Sequence, residues 1–318
     1  MPVPYNEDPV FHPQGLRSRS RIVTHRLVNP GRFMKSGTIA LAAAAFLLLN
    51  TSVLAADAPE RLGPVEFDRS ERYLFPSESV GDRFRIDVLL PLGYESSNEK
   101  YPVVYVTDAN YLLYSAAASY LAQATGEMAK LIVVGVGWQV PSITRIRVRD
   151  FSPTCDGEYK ERHAMTDKEC GHADAFVSFL RSELRPFINR KYRSTDDNTL
   201  VGYSFGGLFA LHVLFNHPDA FDRYLIGSAN MRWDDEYAFK AEEAFAESNQ
   251  DLAKRVYISV GGLEGEGLIP NTYRMYEKLQ SRQYPGLQVT AEVLEGETHM
   301  TSINPFVLRG LRAVGFAR

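Results

Sequence analysis

Cysteine is nearly absent from this chain, with two residues in 318, which excludes a small scaffold held together by many disulfides. A surplus of one charge is also lacking. Lys and Arg number 35 against 39 Asp and Glu, for a formal net charge of −4, so nothing marks a nucleic-acid binder or a solvating acidic tail. No internal repeat or low-complexity linker interrupts residues 57–318, and no phosphate loop or dinucleotide fingerprint occurs. No apolar run reaches the roughly 20 residues of a membrane-spanning helix. The expectation is therefore a chain with no cofactor, no metal, no nucleic-acid partner and no stable membrane insertion. What remains is an ordinary globular composition, 45% hydrophobic and 23% charged, which rules out a disordered or fibrous protein.

The N-terminus is different material. Residues 1–33 carry Arg17, Arg19, Arg21, Arg26 and Arg32 with little apolar periodicity. Met34-Lys35 then leads into the apolar run Ile39 to Leu49 and the small-residue exit Val53-Leu54-Ala55-Ala56. A short positive region, an apolar stretch of about 11 residues and such an exit make a secretory signal peptide over 34–56. An uncleaved N-terminal anchor is the alternative. Residues 1–33 read as an upstream extension or over-long start, the other reading being a long n-region. Loss of residues 1–56 removes six basic and two acidic residues and leaves a net charge of −8. Residues 57–318 suit one large domain, in a periplasmic or secreted protein.

Within that domain, short β-rich runs alternate with helical patterns. Arg83 to Leu90 alternates and stops at Pro91, as a strand with one solvated face does. Tyr101 to Val106 and Leu131 to Val136 are continuous apolar runs suited to strands covered on both faces. Leu200-Val201, Tyr224 to Ile226, Val256 to Val260 and Val289 to Leu294 continue the series. Phe176, Phe179, Leu180, Leu184, Phe187 and Ile188 share one face of a helix of about 15 residues, and further helices are expected after Ser204, over Glu236 to Ser248, Thr272 to Arg282 and Ser302 to Val314. The alternation predicts an α/β fold with a mostly parallel central sheet and helices on both faces. From Gly137 to His172 no period is sustained, and this segment is expected to lie as a lid wall over the strand C-terminal ends. It holds both cysteines, so in an exported chain Cys155 and Cys170 are expected to form a disulfide. Cys155, His163, Cys170 and His172 match no common zinc spacing.

The most informative stretch is Gly202-Tyr203-Ser204-Phe205-Gly206-Gly207. A G-x-S-x-G pattern between an apolar strand and a helix is a nucleophile elbow. The tight turn leaves no room for side chains two residues either side of the serine, and glycine removes the clash. Ser204 is the expected nucleophile, and the helix beneath it points free N–H groups at a developing oxyanion. Among the histidines after residue 57, His212 lies two helical turns below the elbow and reads as packing or surface, and His217 as a helix-terminus residue. His299 follows the last strand, where chain order serine, acid, histidine places a general base. The acid belongs after Val256 to Val260, where Glu264 and Glu266 compete. Glu264 is nearer the strand end and is preferred, with a Ser204–His299 dyad as the alternative. The backbone N–H groups of Phe205 and Asn110 are the expected oxyanion donors, with Asp108 shaping the turn before Asn110. Arg147, with Arg145 and Arg149, could meet an anionic substrate or form a solvated strand face. Trp233 could wall the substrate pocket or pack in the core.

These motifs resemble the esterase family of α/β hydrolases, which includes esterase D-like enzymes, enterochelin-type siderophore esterases and bacterial mycolyltransferases. The resemblance runs over most of residues 65–310. It rests on Arg83 to Tyr94, Tyr101 to Asp108, Arg149-Asp150-Phe151-Ser152-Pro153, Ala173 to Arg190 into Gly202 to Gly207, and Gly296-Glu297-Thr298-His299. It implies an α/β-hydrolase fold, Ser204 as nucleophile, His299 as base and the loop after Asp108 as part of the oxyanion hole. Two departures stand out: Asp108-Ala109 where the family often has Asp-Gly, and Ser228-Ala229-Asn230-Met231-Arg232-Trp233 where it often has Ser-Pro-Ser-x-Trp-Trp. The expected activity is hydrolysis of a carboxylic ester through an acyl-enzyme, with a small-molecule ester, a siderophore-type ester among them, as substrate. Acyl transfer by the same residues and a non-catalytic binding protein on this fold are the alternatives.

Overall fold

The computed structural model describes residues 67–140, 142–265 and 267–317. The expected extension 1–33 and signal peptide 34–56 lie outside the described residues, as does Glu266. Eight strands form a single sheet: β1 Ser70–Ser77, β2 Asp82–Leu89, β3 Tyr101–Val106, β4 Ile132–Trp138, β5 Ser194–Tyr203, β6 Arg223–Gly227, β7 Arg255–Gly261 and β8 Gln288–Leu294. Their spatial order is β1-β2-β4-β3-β5-β6-β7-β8. β1 and β2 are antiparallel to their neighbours, while β4, β3, β5, β6, β7 and β8 are mutually parallel.

Parallel strands have helices on both faces and therefore bury successive side chains on opposite sides. Leu200 belongs to one buried cluster and the adjacent Val201 to the other. One cluster is aromatic, with Phe84 stacked on Phe179 at 4.4 Å between ring centroids and Phe151, Phe176 and Phe209 interlocked beside them. The other packs Val104, Val201 and Leu225 under Phe306 and Leu311 of the helix Ile303–Leu311. The expected helix on Phe176 to Ile188 is a continuous helical run in three pieces: Ala173–Ser178, a widened π turn Phe179–Leu184, and Arg185–Lys191. Pro186 has no N–H for the Ser182 carbonyl, and the widened turn directly precedes it.

Two sequence expectations need correction. The segment 137–172 is not irregular: it contains the helices Thr144–Phe151 and Gly157–Arg162 and a 3₁₀ turn Asp167–Glu169, clipped by a Cys155–Cys170 disulfide. Nor do Arg145, Arg147 and Arg149 form a strand face. In a helix, residues two apart diverge by about 200°, so Arg147 turns inward to Asp108 while Arg145 pairs with Glu169 and Arg149 with Asp150 and Asp82.

Candidate active site

β5 ends at Tyr203, and the helix Phe205–Asn216 starts two residues later, which leaves Ser204 alone to reverse the chain direction. It does so at φ 60°, ψ −113°, a region that a residue with a side chain occupies only when its surroundings hold it there. The surroundings are visible. The Ser204 N–H donates to the Gly227 carbonyl at 2.8 Å, and its carbonyl accepts from Leu208 at 3.0 Å and Asn230 at 3.2 Å. A Cβ on Gly202 would lie 1.9 Å from the Gly206 carbonyl oxygen, so glycine is obligatory there on steric grounds. The Ser204 hydroxyl makes no hydrogen bond to any described residue and is half-buried.

His299 and Glu264 meet across two loops. Glu264 Oε2 lies 2.5 Å from His299 Nδ1. Its other oxygen accepts from the Ser228 hydroxyl at 2.5 Å and the Gly261 N–H at 2.8 Å. The Glu264 side chain is 1% exposed. Burial pushes its pKa up, but the bonds from His299 and Ser228, the histidine charge and the Gly261 N–H together win, and the carboxyl is held below its ordinary range. Glu264 is thereby kept ionised and pinned at both oxygens, leaving His299 Nε2 as the free edge of the ring.

Tyr203 ties these loops to the Ser204 turn. Its hydroxyl donates to the His299 carbonyl at 2.6 Å and lies 2.5 Å from Ser302 Oγ and 2.7 Å from Ser228 Oγ. Its ring packs beside the His299 ring at 5.1 Å between centroids. Sequence reasoning missed Tyr203, Ser228 and Ser302, because these contacts join residues up to 99 positions apart. The only local signal was the tyrosine inside the elbow.

Two N–H sources flank Ser204. Phe205 opens the elbow helix. Ala109 and Asn110 open the helix Ala109–Ala117, which follows Asp108 in the left-handed conformation (φ 51°). Among the described residues, the backbone N–H groups of Phe205, Ala109 and Asn110 have no acceptor, as first-turn donors must without a cap. The Asn110 side chain is occupied, donating to the Trp138 carbonyl at 2.9 Å and accepting from the Trp138 N–H at 3.0 Å.

The two expected substrate contacts are placed differently. The Arg147 guanidinium grips Asp108 with Nε at 2.9 Å and Nη2 at 2.7 Å, against a carboxylate 1% exposed. It thus braces the turn that presents Asn110. Trp233 is 2% exposed. Its Nε1 donates to Thr154 at 3.1 Å and its ring packs edge-on to Phe205 at 5.3 Å, so it joins the disulfide-clipped segment to the elbow helix. Arg147→Met is expected to lower the unfolding free energy by about 3 kcal/mol, because it strands a buried carboxylate. Urea denaturation reads this, and a loss under about 0.5 kcal/mol, the size of an ordinary surface change, would show that the pair does not brace the fold.

The model of the family described as "Putative esterase" matches residues 77–302. The ferri-bacillibactin esterase BesA of Bacillus subtilis is 30% identical over 228 residues, covering 67% of this chain and 78% of that protein. The siderophore triacetylfusarinine C esterase of Aspergillus fumigatus is 28% identical over 218 residues, 64% of this chain and 72% of that protein. The crystal structure of the BES protein from Bacillus cereus superposes with a TM-score of 0.72 at 24% identity, covering 82% of this chain and all (100%) of that one.

Proposed function

The chain belongs to the esterase family and is an ester hydrolase, and on that premise we propose that it is an exported serine hydrolase acting on a siderophore-type ester through an acyl-enzyme. The observation that carries the proposal is the buried Glu264 held 2.5 Å from His299 Nδ1, with Tyr203 joining the His299 carbonyl to an elbow serine in a strained turn. In the proposed reaction His299 Nε2 takes the Ser204 proton as Oγ attacks the ester carbonyl. Glu264 fixes the tautomer with the proton on Nδ1 and stabilises the imidazolium without itself accepting a proton. The N–H groups of Phe205 and Asn110 receive the oxyanion. The imidazolium protonates the departing alkoxide, and water then resolves the acyl-enzyme by the same route. No metal or cofactor enters these steps.

Support for the substrate class is both local and comparative. Tyr111, Leu263 and Met300, each next to or near a residue of the constellation, are 54%, 65% and 64% exposed. Large apolar side chains left in water around a site suit an aromatic or acyl ligand. The relatives named above are siderophore esterases. A disulfide next to the elbow helix suits an oxidising compartment. The test is labelling with a fluorophosphonate, followed by kcat/KM for a catecholate trilactone against a simple acyl ester. Label on Ser204 and a preference of tenfold or more, about 1.4 kcal/mol, for the trilactone are expected. Label without that preference would reject the siderophore reading, and failure to label would reject the serine mechanism.

A further inference from the structure

At the far end of the elbow helix, away from Ser204, three ligand-type side chains converge. His212 and His217 lie 8 and 13 residues beyond Ser204, roughly 12 and 19 Å along the helix direction at 1.5 Å per residue. Asp174, in the helix that follows the disulfide segment, directs a single carboxylate oxygen at both. Asp174 Oδ1 is 2.9 Å from His212 Nε2 and 2.8 Å from His217 Nε2, and the three ligand atoms lie within 4.8 Å of one another. We propose that Asp174, His212 and His217 form a binding site for a divalent transition-metal ion such as zinc, remote from the catalytic constellation.

Two ring nitrogens and a carboxylate oxygen are the donor set of an open zinc site, with water as fourth ligand. With metal–ligand bonds of 2.0–2.2 Å, tetrahedral ligand atoms sit about 3.3 Å apart. Inserting the ion thus requires the present contacts to open by about half an ångström. Asp174 can make that movement, because its side chain is 74% exposed. Exposure also gives the ion a way in. His212 is the fixed member, 4% exposed, and its orientation is already set from behind. Nδ1 lies 2.9 Å from the Tyr237 hydroxyl, and Asn216 Nδ2 donates to the His212 carbonyl at 3.1 Å and reaches the same tyrosine oxygen at 3.3 Å. Asn216 Nδ2 also lies 3.3 Å from Nδ1; with the ion bound, Nδ1 would carry its proton toward the tyrosine oxygen and the Nε2 lone pair would face the ion, the arrangement outer-shell partners impose on ligating histidines. Without metal, Asp174 Oδ1 serves as acceptor for two imidazole N–H groups. The Cys155/His163/Cys170/His172 set is excluded as a rival, since both sulfurs are in the disulfide.

The site would clamp the helix Ala173–Ser178 to the end of the elbow helix, so the ion acts on stability and not on turnover. The test is calorimetric titration of EDTA-treated full-length protein with zinc alone, with melting temperature and ester hydrolysis measured on the same samples. One zinc per chain, a zinc-dependent rise in melting temperature, and unchanged hydrolysis in the zinc-free protein are expected. His217→Gln and Asp174→Asn should each abolish the rise while keeping esterase activity, which certifies their fold. Tyr237→Phe should weaken binding by about tenfold. Absence of saturable one-to-one binding, or binding that survives both ligand variants, would overturn the proposal.

Discussion

Ser204→Ala is expected to lower kcat for any ester this protein turns over by about 10⁶-fold, the scale on which loss of a triad serine acts. The fold should survive. The strained turn is held by backbone bonds from Ser204 to Gly227, Leu208 and Asn230, and the hydroxyl makes no bond to a described residue. Alanine keeps all of the former and loses nothing of the latter. Kinetics with a chromogenic ester and a thermal melt together read the two halves of this expectation. A variant retaining a tenth of wild-type activity would remove Ser204 from the chemistry, and one that fails to fold would contradict the backbone account of the elbow.

Glu264→Gln separates a triad from a dyad and carries the second-largest effect, about 10⁴-fold in kcat by the tautomer argument. The glutamine Oε1 can still accept from Ser228 and Gly261, which directs its NH₂ at His299 Nδ1. That reverses the hydrogen bond, moves the imidazole proton to Nε2, and leaves no base for Ser204. A loss below tenfold would instead favour a Ser204–His299 dyad. A pH signature follows from the depressed carboxyl. A group whose folded-state pKa is lowered contributes stability above its unfolded value, here the ordinary 4.5, and loses it as pH falls through the folded-state value. The stability gap between wild type and Glu264→Gln should therefore be full near neutrality and begin to close only below pH 4.5, as urea denaturation across that range would show.

What was readable in advance follows from how local each constraint is. The elbow was legible because the Gly202–Gly206 clash is decided within five residues. β3 matched its expected span of Tyr101 to Val106 because a strand covered on both faces has to be apolar throughout. β1 was missed: it is an edge strand with mostly exposed residues, and its only apolar run, Tyr73-Leu74-Phe75, is three residues long and ends at Pro76. The helix Thr144–Phe151 was misread because arginines two apart imitate a strand when their partners are unknown. Glu264 could be favoured over Glu266 from its distance to the strand end, but the Ser228 donor that helps hold it comes from 36 residues away and leaves no mark near it. The same holds for Arg147, whose partner Asp108 is 39 residues away.

Tyr203 has a mechanical consequence. Tyr203, immediately before Ser204, holds the His299 carbonyl, so a displacement of the His299 loop is transmitted through one hydroxyl into the strand that carries Ser204. The positions of Ser204 and His299 are thereby linked through one side chain. At the outer ends of the same loops the side chains of Leu263 and Met300 stand in water. The exposed rim at Leu263 and Met300 can therefore change without touching the hydroxyl that links the His299 loop to β5.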